Sequence, residues 1–267
     1  MNIIYALNEK FGQHLFNSVT SLLSSTERRD ITLYIIHRDI SIHFMNKFNN
    51  FFVNFNVNIN FVNLSELNIL INDLPTNNKI SIEAYFRLFI GRIINKDEDR
   101  AIYLDCDTIV NSPIEDLYYL NIDNKVIGAV EDALKFNKKF PDFIENLSLT
   151  NYNYFNSGVM LINLKLWREK NIENKLLNFL THKTDKIIYH DQDVLNSILN
   201  LEWYELDYAW NVQTFFVNKV DRYLDSFNHP KIIHYIGKKP NEYGCVHPLI
   251  KYYNVYNNYL IKKNVML

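Results

Sequence analysis

Three Asp-X-Asp triplets occur in the chain: Asp97-Glu98-Asp99, Asp105-Cys106-Asp107 and Asp191-Gln192-Asp193. With 17 aspartates in 267 residues, chance supplies about one such triplet, so context must separate them. Asp97 and Asp99 lie in a polar run and read as a solvated loop. Asp105 and Asp107 follow Ala101-Ile102-Tyr103-Leu104, at the carboxyl end of an apolar stretch that reads as a buried strand. Two carboxylates there repel each other and lose hydration unless a cation compensates. A divalent metal is one compensator, and hard oxygen ligands suit Mg²⁺ or Mn²⁺. Capping of the turn around Asn111-Ser112-Pro113 is the competing reading, and spacing does not choose between them. Asp191 and Asp193 precede the apolar Val194, Leu195, Ile198 and Leu199, which leaves helix capping and a substrate role both open.

His234 ends a second apolar run and is followed by Gly237, Lys238, Lys239 and Pro240. A strand-end histidine is more often packed than liganding, and two lysines are an ordinary surface pair. Together they make a phosphate clamp conceivable, since glycine permits close approach and lysine supplies charge. No Gly-rich phosphate loop and no Gly-X-Gly-X-X-Gly occurs, which argues against P-loop enzymes and dinucleotide folds. Cys106 beside His234 would suggest a thiol nucleophile, but two flanking carboxylates disfavour its thiolate.

The elements that must position these groups alternate. Residues 2–7, 31–37, 57–64 and 101–104 read as strands, with helical patterns at 12–23, 41–52 and 81–94 between them. That order predicts an α/β fold with a mainly parallel, Rossmann-like sheet, helices on both faces, and ligands at the strands' carboxyl ends. Strands at 126–130, 159–164 and 231–235 and helices at 165–181 and 192–200 follow in a less regular final third. The chain has 31.9 kDa, 48% hydrophobic and 22% charged residues, an ordinary globular profile and enough length for a large core. A net charge of −2 argues against a broad basic surface for nucleic acid, and no nucleic-acid partner is expected. Two cysteines make no disulfide framework, and no apolar run approaches the ~20 residues that span a bilayer. A cytoplasmic protein is the working expectation. The 38 asparagines, and the Asn-X-Ser sequons at Asn63 and Asn146 among them, read as compositional bias.

Several motifs in order then point to one family. They are residues 2–7 leading to Phe11, Ala84-Tyr85-Phe86-Arg87-Leu88, Tyr103-Leu104-Asp105-Cys106-Asp107, residues 155–164 (FNSGVMLINL), Asp191-Gln192-Asp193-Val194-Leu195-Asn196, and His234-Tyr235-Ile236-Gly237. From residue 2 to 240 the chain resembles glycosyltransferase family 8, retaining GT-A enzymes that include bacterial lipooligosaccharide galactosyltransferases and glycogenin. The resemblance implies that Asp105, Asp107 and His234 bind Mn²⁺, with Mg²⁺ as the alternative. A nitrogen ligand among oxygens favours Mn²⁺. It implies UDP binding by Ala6, Leu7, Asn8, Phe11, Arg87, Leu104, Asp105, Cys106, Gly237 and Lys239. Arg87, Asn156, Asp191 and Gln192 would line the donor hexose, with Gln192 and Asp191 at the reacting centre. The implied activity is hexosyl transfer from a UDP-hexose, galactose or glucose, to a glycan acceptor at the cell surface.

There are departures from the family's pattern. Asn8 stands where the family has Asp, and Lys10 where a smaller polar residue is common. The 237–240 segment is one residue shorter than Gly-X-X-Lys-Pro, and Asn241 replaces Trp. Residues 241–267 are set apart as an aromatic C-terminal tail, expected to contact membrane or acceptor peripherally at the inner face. Two other classes compete: a nucleotide-sugar binding module without turnover, and a metal-dependent nucleotidyltransferase. The intact Asp105, Asp107, His234 and Gln192 set speaks against the first, and the missing Gly-rich loop against the second.

Overall fold

The fold is that of a computed structural model, which describes residues 1–28, 30–67, 82–122, 124–147, 149, 153–182, 187–214, 224–242 and 245–265. Position 81 of the expected 81–94 helix, part of the second sequon and the last two residues lie outside that set.

Among the described residues, ten strands run in chain order: β1 Asn2–Ala6, β2 Thr32–His37, β3 Asn58–Asn63, β4 Arg100–Leu104, β5 Thr108–Val110, β6 Ile127–Glu131, β7 Phe155–Asn163, β8 Trp203–Glu205, β9 Val212–Gln213 and β10 Ile232–His234. Seven form one sheet in the order β3-β2-β1-β4-β7-β6-β8. All are parallel except β7, which runs antiparallel to both β4 and β6. The chain steps outward from β1 through β2 to β3 and then returns to β4 on the other side of β1. This reversal opens a crevice at the carboxyl ends of β1 and β4. A small sheet, β5-β10-β9, flanks it.

Alternate residues feed two apolar layers, as a sheet covered on both faces requires. Ile3, Tyr5, Ile102 and Leu104 pack on one side, Ile4, Ala101 and Tyr103 on the other. Over the first side lies the Gly12–Ser25 helix, joined by the Ile42–Phe52 helix. Ser41 caps the latter by accepting from the Phe44 amide at 3.1 Å, and Phe44, Phe48 and Phe52 recur every fourth residue on its buried face. Phe48 lies 4.9 Å from the Phe16 ring centroid and 4.6 Å from that of Phe52.

Three elements differ from the periodicity. The 81–94 pattern predicts one α-helix, but Ile82–Phe89 winds as a 3₁₀ helix before a short α turn at Ile90–Ile93. Nearly every side chain in it is buried, so tertiary anchors rather than one amphipathic face set its winding. The 165–181 helix is two, Leu164–Glu169 and Ile172–His182, parted at Asn171 with φ 54°. Asparagine tolerates that left-handed conformation and so ends the first helix. The stretch read as an aromatic tail is helical over Ile250–Lys262 and packs on the Gly12–Ser25 helix. Its Tyr253 hydroxyl lies 3.1 Å from His14 Nδ1, and Leu260 enters the core. The short β5, β8 and β9 leave no readable pattern.

Phe48→Ala is expected to destabilise the fold by about 3–5 kcal/mol, the usual cost of emptying a fully packed phenylalanine site. Urea unfolding with an unchanged m-value checks this, and a loss below about 1 kcal/mol would contradict the packing described.

Candidate active site

At the end of β4 the chain turns sharply, with the Thr108 amide (3.2 Å) and hydroxyl (2.8 Å) both donating to the Asp105 carbonyl. The turn carries Asp107 back beside Asp105. Antiparallel pairing of β5 with β10 sets Thr108 opposite His234, and the Tyr235 amide donates to the Asp107 carbonyl at 3.0 Å. Backbone pairing alone therefore brings a histidine from near the end of the chain onto the two carboxylates.

Each carboxylate spends one oxygen on a protein cation and keeps the other free. Asp105 Oδ1 accepts from Arg87 Nη2 at 2.8 Å and from the Tyr103 hydroxyl at 2.9 Å. Asp107 Oδ2 accepts from Lys239 Nζ. The remaining oxygens face His234 Nε2, Asp105 Oδ2 at 3.6 Å and Asp107 Oδ1 at 3.4 Å. Ligand atoms of these three residues all lie within 4.8 Å of one another, the reach of one metal ion. Burial opposes ionisation of Asp107, but the Lys239 ammonium outweighs it and holds its carboxyl far below the usual range. Burial and then the neighbouring Asp105 and Asp107 push the Cys106 thiol well up, which disfavours its thiolate.

The surroundings fit a cation. A Cβ on Gly158 would come within 2.2 Å of His234 Cε1 and 2.7 Å of Asp105 Oδ2, so the floor of the cluster has room for hydrogen alone. Two carboxylate oxygens and one imidazole nitrogen are a donor set for Mn²⁺ or Mg²⁺.

Arg87 links this cluster to a second one. Its Nε lies 3.0 Å from Asp191 Oδ2, and Nη1 donates to the Ser157 carbonyl at 2.9 Å. Burial raises the Asp191 pKa to about 6, against the pull of Arg87. Gln192 Nε2 donates to Asp132 Oδ2 at 3.0 Å, and its Oε1 accepts from the Ser157 amide at 3.1 Å and Asn156 Nδ2 at 3.2 Å. Asp191 and Gln192 open the Asp191–Leu199 helix, and His190 before them holds φ 50° and ψ −119°. Its ring Nδ1 lies 3.2 Å from the Tyr85 hydroxyl, two residues from Arg87.

Both clusters line a cavity of about 640 Å³ at the carboxyl ends of β1 and β4. Ala6, Leu7, Asn8 and Phe11 line it as well, with Asn8 Oδ1 buried and lacking a hydrogen-bond partner among the described residues. Gly237, at φ 87°, and Lys239 close the rim. Of the residues expected from the sequence, Asp105, Asp107, His234, Arg87, Asn156, Asp191, Gln192 and Cys106 also line it. Leu104 does not: β4 pairs it with Val159 and its side chain is fully buried in the core. Sequence reasoning passed over Asp132, Ser157 and Tyr189. Asp132 follows β6 as Asp105 follows β4, the one signal that would have found it.

A sequence model described as Glycosyl transferase family 8 matches residues 2–242. General stress protein A of Bacillus subtilis (strain 168) is 32% identical over 275 residues, covering 97% of this chain and 93% of that protein. Lipopolysaccharide 1,2-glucosyltransferase of Escherichia coli (strain K12) is 26% identical over 264 residues, covering 96% of this chain and 77% of that protein. The solved structure of galactosyltransferase LgtC with donor and acceptor sugar analogs superposes with a TM-score of 0.82 at 22% identity, over 97% of this chain and 96% of that one. The likeness establishes a shared GT-A fold.

Gly158→Ala is expected to weaken Mn²⁺ binding at least tenfold in a protein that still folds, as followed by electron paramagnetic resonance titration. Retained affinity would show that the three side chains do not need that clearance. A second expectation concerns charge. Asp191 has a folded pKa near 6 against an ordinary 3.8, so its ionised form burdens the folded state above pH 6 by roughly 3 kcal/mol. The burden lifts as pH falls through 6 toward 4, where the folded protein holds the proton. Asp191→Asn is therefore expected to melt above the wild type at pH 7.5 and level with it near pH 4, by calorimetry. A lower melting temperature at pH 7.5 would reverse the sign.

Proposed function

Because the chain belongs to glycosyltransferase family 8, and is on that ground a glycosyltransferase of the GT-A fold, we propose that it is a retaining hexosyltransferase using a UDP-hexose. The observation that carries this reading is the convergence of Asp105 Oδ2, Asp107 Oδ1 and His234 Nε2 in one cavity with Arg87, Asp191 and Gln192. The unpartnered Asn8 Oδ1 is an acceptor for the imide N–H of uracil, and Phe11 beside it offers a stacking face. Asp105, Asp107 and His234 would hold Mn²⁺ or Mg²⁺, which when bound stabilises the charge of the leaving diphosphate as a Lewis acid. Lys239 and Arg87 add positive charge on either side of the same group.

Transfer replaces the bond between the anomeric carbon and UDP by one to the acceptor oxygen on the same face. The acceptor's hydroxyl proton passes to the departing phosphate oxygen. Gln192 offers its carbonyl dipole to the oxocarbenium character that develops, and its side-chain amide is already oriented by bonds to Asp132 and the Ser157 amide. Near-wild-type turnover in Gln192→Ala would remove that role. Glucose is supported as donor by the name of the E. coli relative, and galactose remains the competing hexose. The acceptor is a glycan of the cell surface, approached from the cytoplasmic side. No helix among the described residues is long and apolar enough to cross a membrane. Exposed Val255, Tyr259 and Ile261 on the Ile250–Lys262 helix support peripheral contact through residues 241–267, a stretch whose Leu260 is part of the transferase core.

The test is UDP release from UDP-glucose and UDP-galactose, with Mn²⁺ and with EDTA, in wild type and Asp105→Asn. Slow release of one hexose that needs Mn²⁺ and falls at least 100-fold in the variant is expected. No metal-dependent release, together with no Mn²⁺-dependent UDP binding by calorimetry, would overturn the reading.

A further inference from the structure

Behind the metal cluster lies a run of buried amides whose orientations are not independent. It starts at the Gly158 backbone amide, which can only donate, and does so to Asn156 Oδ1 at 3.0 Å. That contact fixes which end of the Asn156 side chain is oxygen. The same oxygen is met by Asn211 at 2.8 Å, so the Asn211 atom there must be its amino group, Nδ2. Asn211 Oδ1 therefore points the other way, 3.1 Å from His234 Nδ1. An oxygen acceptor at that distance requires Nδ1 to carry the proton, which leaves the Nε2 lone pair toward Asp105 Oδ2 and Asp107 Oδ1. Asn211 is wholly buried, as an amide satisfied on both sides can be.

The other end of the run reaches the sugar side. Asn156 Nδ2 donates to Asp132 Oδ2 at 2.9 Å and to Gln192 Oε1 at 3.2 Å. Two residues beyond Asn211, Gln213 accepts from the Ala133 amide at 3.0 Å and donates to the Glu131 carbonyl at 3.0 Å, gripping the backbone on both sides of Asp132. Parallel pairing of β9 with β10 holds Gln213 in register with His234.

We propose that Asn211 is the positioning residue that ties the metal ligand to the sugar-facing amides: its oxygen selects the His234 tautomer that ligates, and its amino group locks Asn156. The inference deepens the UDP-hexose transferase reading and rests on it. Asn211 touches neither substrate nor the reacting atoms. Its two functions separate by substitution, because a carboxylate can replace the oxygen but not the amino group. Asn211→Asp still accepts from Nδ1 and sets an acceptor against Asn156 Oδ1. Asn211→Leu keeps similar volume and supplies neither contact.

The experiment measures Mn²⁺ affinity by electron paramagnetic resonance in the absence of nucleotide, then hydrolysis of UDP-glucose and UDP-galactose at saturating Mn²⁺. Circular dichroism checks the fold of each variant. Asn211→Leu is expected to bind Mn²⁺ about 10- to 100-fold more weakly. Asn211→Asp should stay within about threefold of wild-type affinity, yet lose at least tenfold in kcat. Wild-type Mn²⁺ affinity in a folded Asn211→Leu protein overturns the proposal, as does an equal loss of affinity in both variants. Should Asn211→Leu fail to fold, Asn211→Asp decides alone: lost Mn²⁺ affinity, or wild-type kcat, refutes the assignment. Absence of Mn²⁺ binding to the wild type would instead overturn the functional reading itself, and this inference with it.

Discussion

The structure is organised around an electrostatic demand: two carboxylates at the carboxyl end of a buried strand, close enough to repel. Almost everything near them answers that demand. Arg87 and Lys239 each neutralise one oxygen, from opposite sides, and the two oxygens left over converge on His234 Nε2. Neither cation could be held there without its own support. Arg87 takes its place through contacts to Ala84, Ser157, Asp105 and Asp191, and its guanidinium lies 4.4 Å over the Tyr103 ring. A lysine would reach one of those partners and leave the others bare, since it lacks the planar fork.

The same arrangement places strain beside Asp191 and Gln192. His190 adopts φ 50° and ψ −119°, where a side-chain-bearing residue pays roughly 1–3 kcal/mol. Tyr85, on the same 3₁₀ segment as Arg87, holds its ring. One short segment thus grips both the strained turn that starts the Asp191–Leu199 helix and the acid that helix presents.

What the sequence made legible follows from where its signals are strong. The parallel strands around β1 and β4 could be read because alternate residues enter two apolar layers, and the turn after Leu104 because charge at the end of a buried strand demands an explanation. The Asp105, Asp107 and His234 cluster, Arg87 and the 191–192 pair needed ordered motifs, since each alone fits a bland capping or packing role. Leu104 is absent from the cavity lining because β4 alternation sends its side chain into the core. Asn211 and Gln213 were invisible in a chain so rich in Asn, for nothing in composition distinguishes a buried hydrogen-bonded amide from a surface one. The long 3₁₀ winding of Ile82–Phe89 was equally hidden, because its spacing is that of an ordinary amphipathic helix and its anchors lie far away in sequence.

The pairing of Thr108 with His234 also bears on how the molecule comes into being. The histidine arrives on a strand made late in synthesis, whereas both aspartates emerge before the chain is half complete. A ribosome-bound fragment therefore displays two acidic groups without the nitrogen donor, and has no complete cage in which an ion could lodge. On the proposed reading, divalent-ion uptake becomes a property of the finished polypeptide, acquired when β10 docks beside β5. Such long-range closure slows folding relative to local contacts. In exchange, on that same reading, a chain cut short before that strand would lack the third ligand and stay without its ion.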